Sequence, residues 1–226
     1  TEWRLSGRAM ISAADKRAVE AGLAAIKAGG SAVDAAIAAH TVLGLVEPQS
    51  SGIGGGGFMV VYDRKSNTTT VFDGRETAPA TITPDYFTVN GQNLGFAQAI
   101  TSGRSVGTPA AIALYKAAHD KYGKRPWAEN FNAAIKLADE GFIVTPRLSA
   151  ALGNGFYKNG PLAKNPDTAA YFYPNGEPLA VGDRRTNPQY AATLRAVATE
   201  GPAAFYSGKI ANDIVAAVRS GDIQGE

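Results

Sequence analysis

A mixed α/β (α+β) fold is predicted by three features of the 226-residue sequence. Several segments repeat apolar residues at the helical period. One pair of short β-branched and aromatic runs, joined by a polar turn, reads as a hairpin. Between these signals lies a connection holding five glycines within residues 52–57.

The first helix is expected over residues 14–28, where Val19, Leu23 and Ile26 fall at i, i+4 and i+7 before Gly29-Gly30. A second opens at Ser31, with Asp34 three residues on in a capping-box pattern, and Glu47-Pro48 stops it. Small apolar residues cover several of its faces, so it should pack on more than one side. Phe58-Met59-Val60-Val61-Tyr62 and Thr68-Thr69-Thr70-Val71-Phe72 form the hairpin around a turn at residues 64–67. Residues 84–104 read as loop, with Asn90-Gly91 as a turn signal. Thr108-Pro109 predicts a helix start in N-cap then N1 order. Trp127, Phe131, Ala134, Ile135 and Ala138 phase a further helix ending at Gly141, and a short one follows over 146–152. Residues 153–187 read as an irregular excursion with a short strand at Tyr171-Phe172-Tyr173, before two closing helices over 189–199 and 207–219. Residues 1–226 carry no repeat, linker or composition break and are expected to form one domain. One hairpin is too little sheet, since an isolated two-stranded sheet is marginal. Either further strands lie in the irregular stretches or polypeptide outside this sequence completes the sheet, and the second is the expectation.

Composition excludes much chemistry. Hydrophobic residues are 45%, enough for a core and against general disorder. Charged residues are 19% and the net charge is +2, with no basic cluster of the kind a nucleic-acid binder carries. There is no cysteine and there are only two histidines, His40 and His119. A thiol nucleophile, a thiolate zinc site and a three-histidine metal centre are thus all excluded, and no metal or cofactor is expected. No stretch reaches the roughly 18 apolar residues of a membrane span; residues 35–46 are too few and contain His40. The start, Thr1-Glu2-Trp3-Arg4, lacks an apolar signal-peptide core.

The candidate motifs divide sharply. Residues 52–57 match Gly-x-Gly-x-x-Gly, but a helix precedes and a strand follows, the reverse of a dinucleotide fingerprint. The glycines are better read as allowing positive φ and close backbone approach, with a direct ligand contact as the alternative. Arg75 and Glu76 lie just past the second strand between Gly74 and Pro79. A loop on a rigid sheet is a common binding position, and arginine grips a carboxylate through two parallel hydrogen bonds. A surface ion pair is the alternative. His40 is expected to pack inside, His119 to face solvent, and no serine sits in a nucleophile elbow. An N-terminal threonine can act as a nucleophile with its own amine as base, but the polar residues after Thr1 argue against it here.

In order, several strings resemble the gamma-glutamyltransferase family. They are Ala21-Gly22-Leu23, Gly29-Gly30-Ser31-Ala32-Val33-Asp34-Ala35-Ala36, and Glu47-Pro48-Gln49-Ser50-Ser51 running on through the glycines to Phe58-Met59. Asp73-Gly74-Arg75-Glu76-Thr77-Ala78-Pro79 and Ser105-Val106-Gly107-Thr108-Pro109-Ala110 follow, the last with Ala110 where many members have glycine. Glu140-Gly141-Phe142 and Gly201-Pro202-Ala203-Ala204-Phe205-Tyr206-Ser207-Gly208 also fit. The resemblance implies a four-layer αββα sandwich of the N-terminal nucleophile hydrolase type, completed by a second chain cut from the same precursor. It implies a gamma-glutamyltransferase or glutathione hydrolase large subunit whose threonine nucleophile starts the partner small subunit. It implies a gamma-glutamyl donor, an amino-acid, peptide or water acceptor, and a periplasmic or secreted location. No catalytic residue is expected in this chain. Arg75 matches the family arginine that binds the donor's α-carboxylate, and Glu76 its supporting neighbour. A cephalosporin or glutaryl acylase, a poly-gamma-glutamate transpeptidase, or an inactive fragment serving as a binding module are the alternatives.

Overall fold

The computed structural model describes residues 9–220, so the Thr1 reading lies outside the described residues. In chain order, α1 (Lys16–Lys27) and α2 (Ala32–Val46) precede the hairpin β1 (Gly57–Asp63) and β2 (Thr68–Gly74). The miniature hairpin β3 (Thr88–Val89) and β4 (Gln92–Asn93) and the short α3 (Phe96–Ile100) lead into α4 (Ala111–Tyr122). A 3-10 turn, Trp127–Phe131, runs into α5 (Asn132–Glu140) and then β5 (Phe142–Ile143). Next come α6 (Pro146–Gly153), α7 (Gly155–Lys158), α8 (Pro161–Lys164) and α9 (Pro166–Phe172). The described chain closes with β6 (Arg184–Arg185), α10 (Pro188–Glu200), α11 (Ala203–Tyr206) and α12 (Gly208–Val218). The mixed α+β class is as expected. Among the described residues, no helix is long and apolar enough to cross a membrane.

Helix α2 is the axis of the fold. Its N-cap is the predicted capping box: the Asp34 amide donates to the Ser31 hydroxyl, and the Asp34 carboxylate accepts from the Ser31 amide at 2.7 Å. Ile37, Val42 and Val46 are fully buried, and residues on every side of the helix are covered. Against it lies α1, through a different stripe from the one its apolar period suggests. Ala18, Ala21, Gly22 and Ala25 are buried, whereas Val19, Leu23 and Ile26 are half-buried. Small side chains let the two helix backbones approach: a Cβ on Gly22 would sit 3.1 Å from the Ala35 carbonyl oxygen. Helix α10 docks on the same axis, its Tyr190 hydroxyl donating to the Thr41 carbonyl at 2.9 Å. Trp127 donates its indole N–H to Val197 at 2.8 Å, fixing the 3-10 turn to α10.

The hairpin pairs Val60 with Val71 and Phe58 with Asp73. Because side chains alternate across a strand, its two faces differ. Met59, Val61 and Phe72 pack on the helical core. Phe58, Val60, Tyr62 and Val71 point the other way and are exposed. Two layers are thus formed here, helices against a sheet. All three sheets among the described residues are two-stranded.

Several expectations need correction. Residues 84–104 are not all loop; they hold β3, β4 and α3, with the predicted turn at Asn90-Gly91 between the strands. Residues 171–173 form no strand. The Asn165 side chain accepts from the amides of Asp167 and Thr168, starting α9, which runs through Tyr171 and Phe172. Helix α4 begins at Ala111 rather than after Thr108. Thr108 is held in a bridge, its amide donating to the Thr77 carbonyl at 2.8 Å, so helical geometry starts later.

Candidate functional site

The Arg75–Glu76 corner is built by β2 and the start of α4. Gly74 ends β2 and is buried against α4, where a Cβ would lie 2.7 Å from that of Leu114. The chain therefore turns out of the sheet at once. Arg75 donates its amide to Asp73 Oδ1 at 3.0 Å, and its Nε lies 3.3 Å from Glu76 Oε2. The arginine side chain is 72% exposed, the glutamate 33%. Glu76 is the guanidinium's one ion-pair partner among the described residues. So the two predicted site residues are brought together, one firmly seated and one open to solvent.

The glycine segment forms the floor of this corner. None of residues 52–57 has a positive φ, so the expected conformational role is absent there. The close-approach role is present. A Cβ on Gly56 would fall 2.1 Å from the Gly74 carbonyl oxygen and 3.1 Å from Glu76 Cδ. One on Gly55 would lie 3.1 Å from Glu76 Oε1. The Gly55 carbonyl accepts from the amides of Ala110 and Ala111 at 3.0 and 2.9 Å. It thereby takes up N–H groups that a helix start leaves unpaired. At the head of the segment, Glu47 is buried and its carboxylate meets Arg147 Nε at 2.6 Å and Gln49 Nε2 at 2.7 Å. The sequence gives no pairing signal for this anchor, because Arg147 comes from α6 on the far side of the hairpin in chain order.

The histidines lie elsewhere. His40 packs inside, as expected, hydrogen-bonded through Nδ1 to the Tyr115 hydroxyl. Burial lowers its pKa below the ordinary 6.5, so the ring is neutral at pH 7. His119 does not face solvent; its side chain is 12% exposed. Its Nε2 lies 3.0 Å from the Arg125 carbonyl and 3.3 Å from Asp34 Oδ1, with its edge on Trp127. The Arg125 carbonyl, Asp34 and Trp127 together surround the ring. Burial pushes the Asp34 pKa up, but hydrogen bonds from the Ser31 and Lys124 amides, the Ser31 hydroxyl and the Asn130 amide outweigh this and hold it below the usual value. Ser31 donates to Asp34 directly at 2.9 Å, so serine, aspartate and histidine are not in the order of a hydrolytic triad. This cluster ties α2 to α4 and to the 3-10 turn.

A groove of about 1310 Å³ runs beside β1, lined by Ile11, Val33, His40, Met59, Val61 and Tyr115 among others. Neither Arg75 nor Glu76 lines it. A smaller apolar cleft of about 210 Å³ lies between Thr108-Pro109 and α11–α12. Among the described residues no three metal-ligating side chains cluster.

Comparison with known proteins places this architecture. The sequence profile described as Gamma-glutamyltranspeptidase matches residues 18–225. The glutathione hydrolase proenzyme of Bacillus subtilis strain 168 is 41% identical over 208 residues, covering 91% of this chain and 34% of the relative. The chain thus spans about a third of the length of the curated relatives it matches. The Helicobacter pylori gamma-glutamyltranspeptidase structure superposes with a TM-score of 0.88 at 26% identity, covering 99% of this chain and 63% of that one. The Bacillus anthracis transpeptidase enzyme CapD gives a TM-score of 0.76 at 35% identity, covering 94% and 65%. On the matched residues, the relatives and the shared fold, the chain belongs to the gamma-glutamyltranspeptidase family.

Proposed function

We propose that this chain is the large-subunit part of a gamma-glutamyltransferase or glutathione hydrolase, acting as one domain, and that Arg75 grips the α-carboxylate of the gamma-glutamyl donor with Glu76 holding it in place. The observation that carries the reading is the corner itself. An arginine left largely in solvent stands at the end of a packed strand, with a half-buried glutamate beside it. A planar fork so placed suits a carboxylate better than a point charge would. The family membership supplies the rest.

The nucleophile in this reading is the N-terminal threonine of a small subunit cut from the same precursor. Its hydroxyl attacks the gamma-amide carbonyl while its own amine takes the proton, and the amine leaving group departs as a gamma-glutamyl ester forms. Backbone donors stabilise the tetrahedral oxyanion. Water or an amino-acid amine then displaces the threonine oxygen, giving ping-pong kinetics. Arg75 contributes positioning, since fixing the far end of the donor sets the reacting carbonyl. The exposed face of Phe58, Val60, Tyr62 and Val71 is where the second sheet of the αββα sandwich packs. Covering such side chains contributes on the order of 1.5–3 kcal/mol each. A periplasmic or secreted location fits the same reading.

The test is a comparison of donors with the processed enzyme. A gamma-glutamyl anilide should be hydrolysed much faster than a glutaryl anilide, which keeps the terminal carboxylate that Arg75 would grip but lacks the α-amino group beside it. Equal or inverted rates would favour an acylase. The N-terminal sequence of the polypeptide that copurifies should begin with threonine.

A further inference from the structure

Resting on the Arg75–Glu76 pocket just proposed, we infer that Gly107 is a positioning residue for donor recognition: its missing side chain sets where Glu76 stands, and Glu76 sets the direction of the Arg75 guanidinium. Glu76 is clasped at both ends by glycines. At its root, a Cβ on Gly107 would lie 2.9 Å from Glu76 Cβ and 3.1 Å from the Thr77 carbonyl oxygen. At its tip, Gly55 and Gly56 leave room for the carboxyl group and no more.

The two ends differ in how a methyl group would be absorbed. On Gly56 it would strike the Gly74 backbone, which belongs to the hairpin. On Gly107 it meets the first carbon of the Glu76 side chain, which no rotamer change can move aside. The neighbouring bridge fixes the spacing, because the Thr108 amide donates to Thr77 at 2.8 Å. Glu76 must therefore move by a few tenths of an ångström relative to the loop. Arg75 has no other ion-pair partner among the described residues, so its fork turns with it. Misplacing a positioning group by about 1 Å can cost on the order of 100-fold, and a shift this small about ten-fold.

The experiment uses the processed enzyme made from the full precursor containing this chain, carrying Gly107→Ala. KM for a gamma-glutamyl anilide should rise about ten-fold with kcat within about three-fold, and the inhibition constant of glutamate should rise in parallel. Gly153→Ala, where an added Cβ at the end of α6 meets open space, should leave KM unchanged. An unchanged KM in Gly107→Ala, or a fall in kcat alone, overturns the inference; the latter is what fewer folded molecules would give. Should Gly107→Ala fail to accumulate, Glu76→Gly is compared with Glu76→Gly/Gly107→Ala. The contact with the Glu76 side chain no longer exists in that background, while the approach to the Thr77 carbonyl does, so equal KM values support action through Glu76 and a further rise contradicts it. Arg75→Lys separates the layers of the argument. If it leaves KM unchanged, the pocket itself is wrong. If it raises KM while Gly107→Ala does not, only the role of Gly107 falls.

Discussion

Two charged clusters of this chain are opposites. At Asp34 a buried carboxylate gathers the Ser31 and Lys124 amides, the Ser31 hydroxyl, the Asn130 amide and His119. At Arg75 a charge stands in solvent on one 3.3 Å contact. The first has spent its hydrogen-bonding capacity within the protein and can only hold helices together. The second keeps most of its five donors for something else. Residue type alone would rank the Asp-His-Ser cluster as the active site; saturation ranks it as a joint.

The sharpest way to break this contrast is to truncate the joint. Asp34→Ala leaves several buried donors unpaired and removes the carboxylate half of the α2 capping box, and should destabilise by about 3–5 kcal/mol in denaturant unfolding. Arg75→Ala, on an exposed side chain, should stay within about 0.5 kcal/mol of the parent. Comparable losses in both would erase the distinction. Gly56→Ala should fall between them, at about 1–3 kcal/mol, because its methyl group meets the Gly74 carbonyl. No loss of melting temperature there would show that the floor of the corner is looser than its geometry.

Acid sharpens the comparison further. The folded state holds His40 below its ordinary pKa of 6.5, so it prefers the neutral ring. The resulting stability is complete above pH 6.5 and declines as pH falls below it, because the unfolded chain then binds the proton more readily. His40→Phe should flatten that slope, and identical slopes in both proteins would place the titration elsewhere. Asp34 acts lower down: its depressed pKa gives stability present above the ordinary 3.8 and lost as pH falls beneath it. The smallest effect belongs to Lys16, which meets Glu20 at 3.8 Å with both side chains exposed. Lys16→Ala should change stability by less than about 0.5 kcal/mol, measured in the same unfolding series.

How far the sequence is legible depends on the reach of each signal. The capping box of Ser31 and Asp34, the hairpin period and the turn at Asn90-Gly91 are local, and all are found where expected. Helices α7 and α9 carry local caps too, Asn154 and Asn165, yet a Gly-, Pro- and Asn-rich composition hid them. The burial of His119 is not legible because the groups around it, Asp34, the Arg125 carbonyl and Trp127, all lie outside its own helix. The α1 stripe was misjudged for a related reason: close backbone packing favours Gly22 over Leu23, and periodicity weighs size instead. Arg75 is legible as a strand-end arginine. The clasp around Glu76 was not, since Gly55, Gly56 and Gly107 meet only in the folded chain.

The most direct test of the central claim is the donor KM of Arg75→Lys in the processed enzyme. The charge is kept and the two-pronged geometry is lost. A charge-assisted pair of this kind is worth about 1.5–3 kcal/mol, so KM for a gamma-glutamyl donor should rise about 10- to 100-fold while the protein melts as before. A KM equal to that of the parent would remove Arg75 from the pocket and contradict the account.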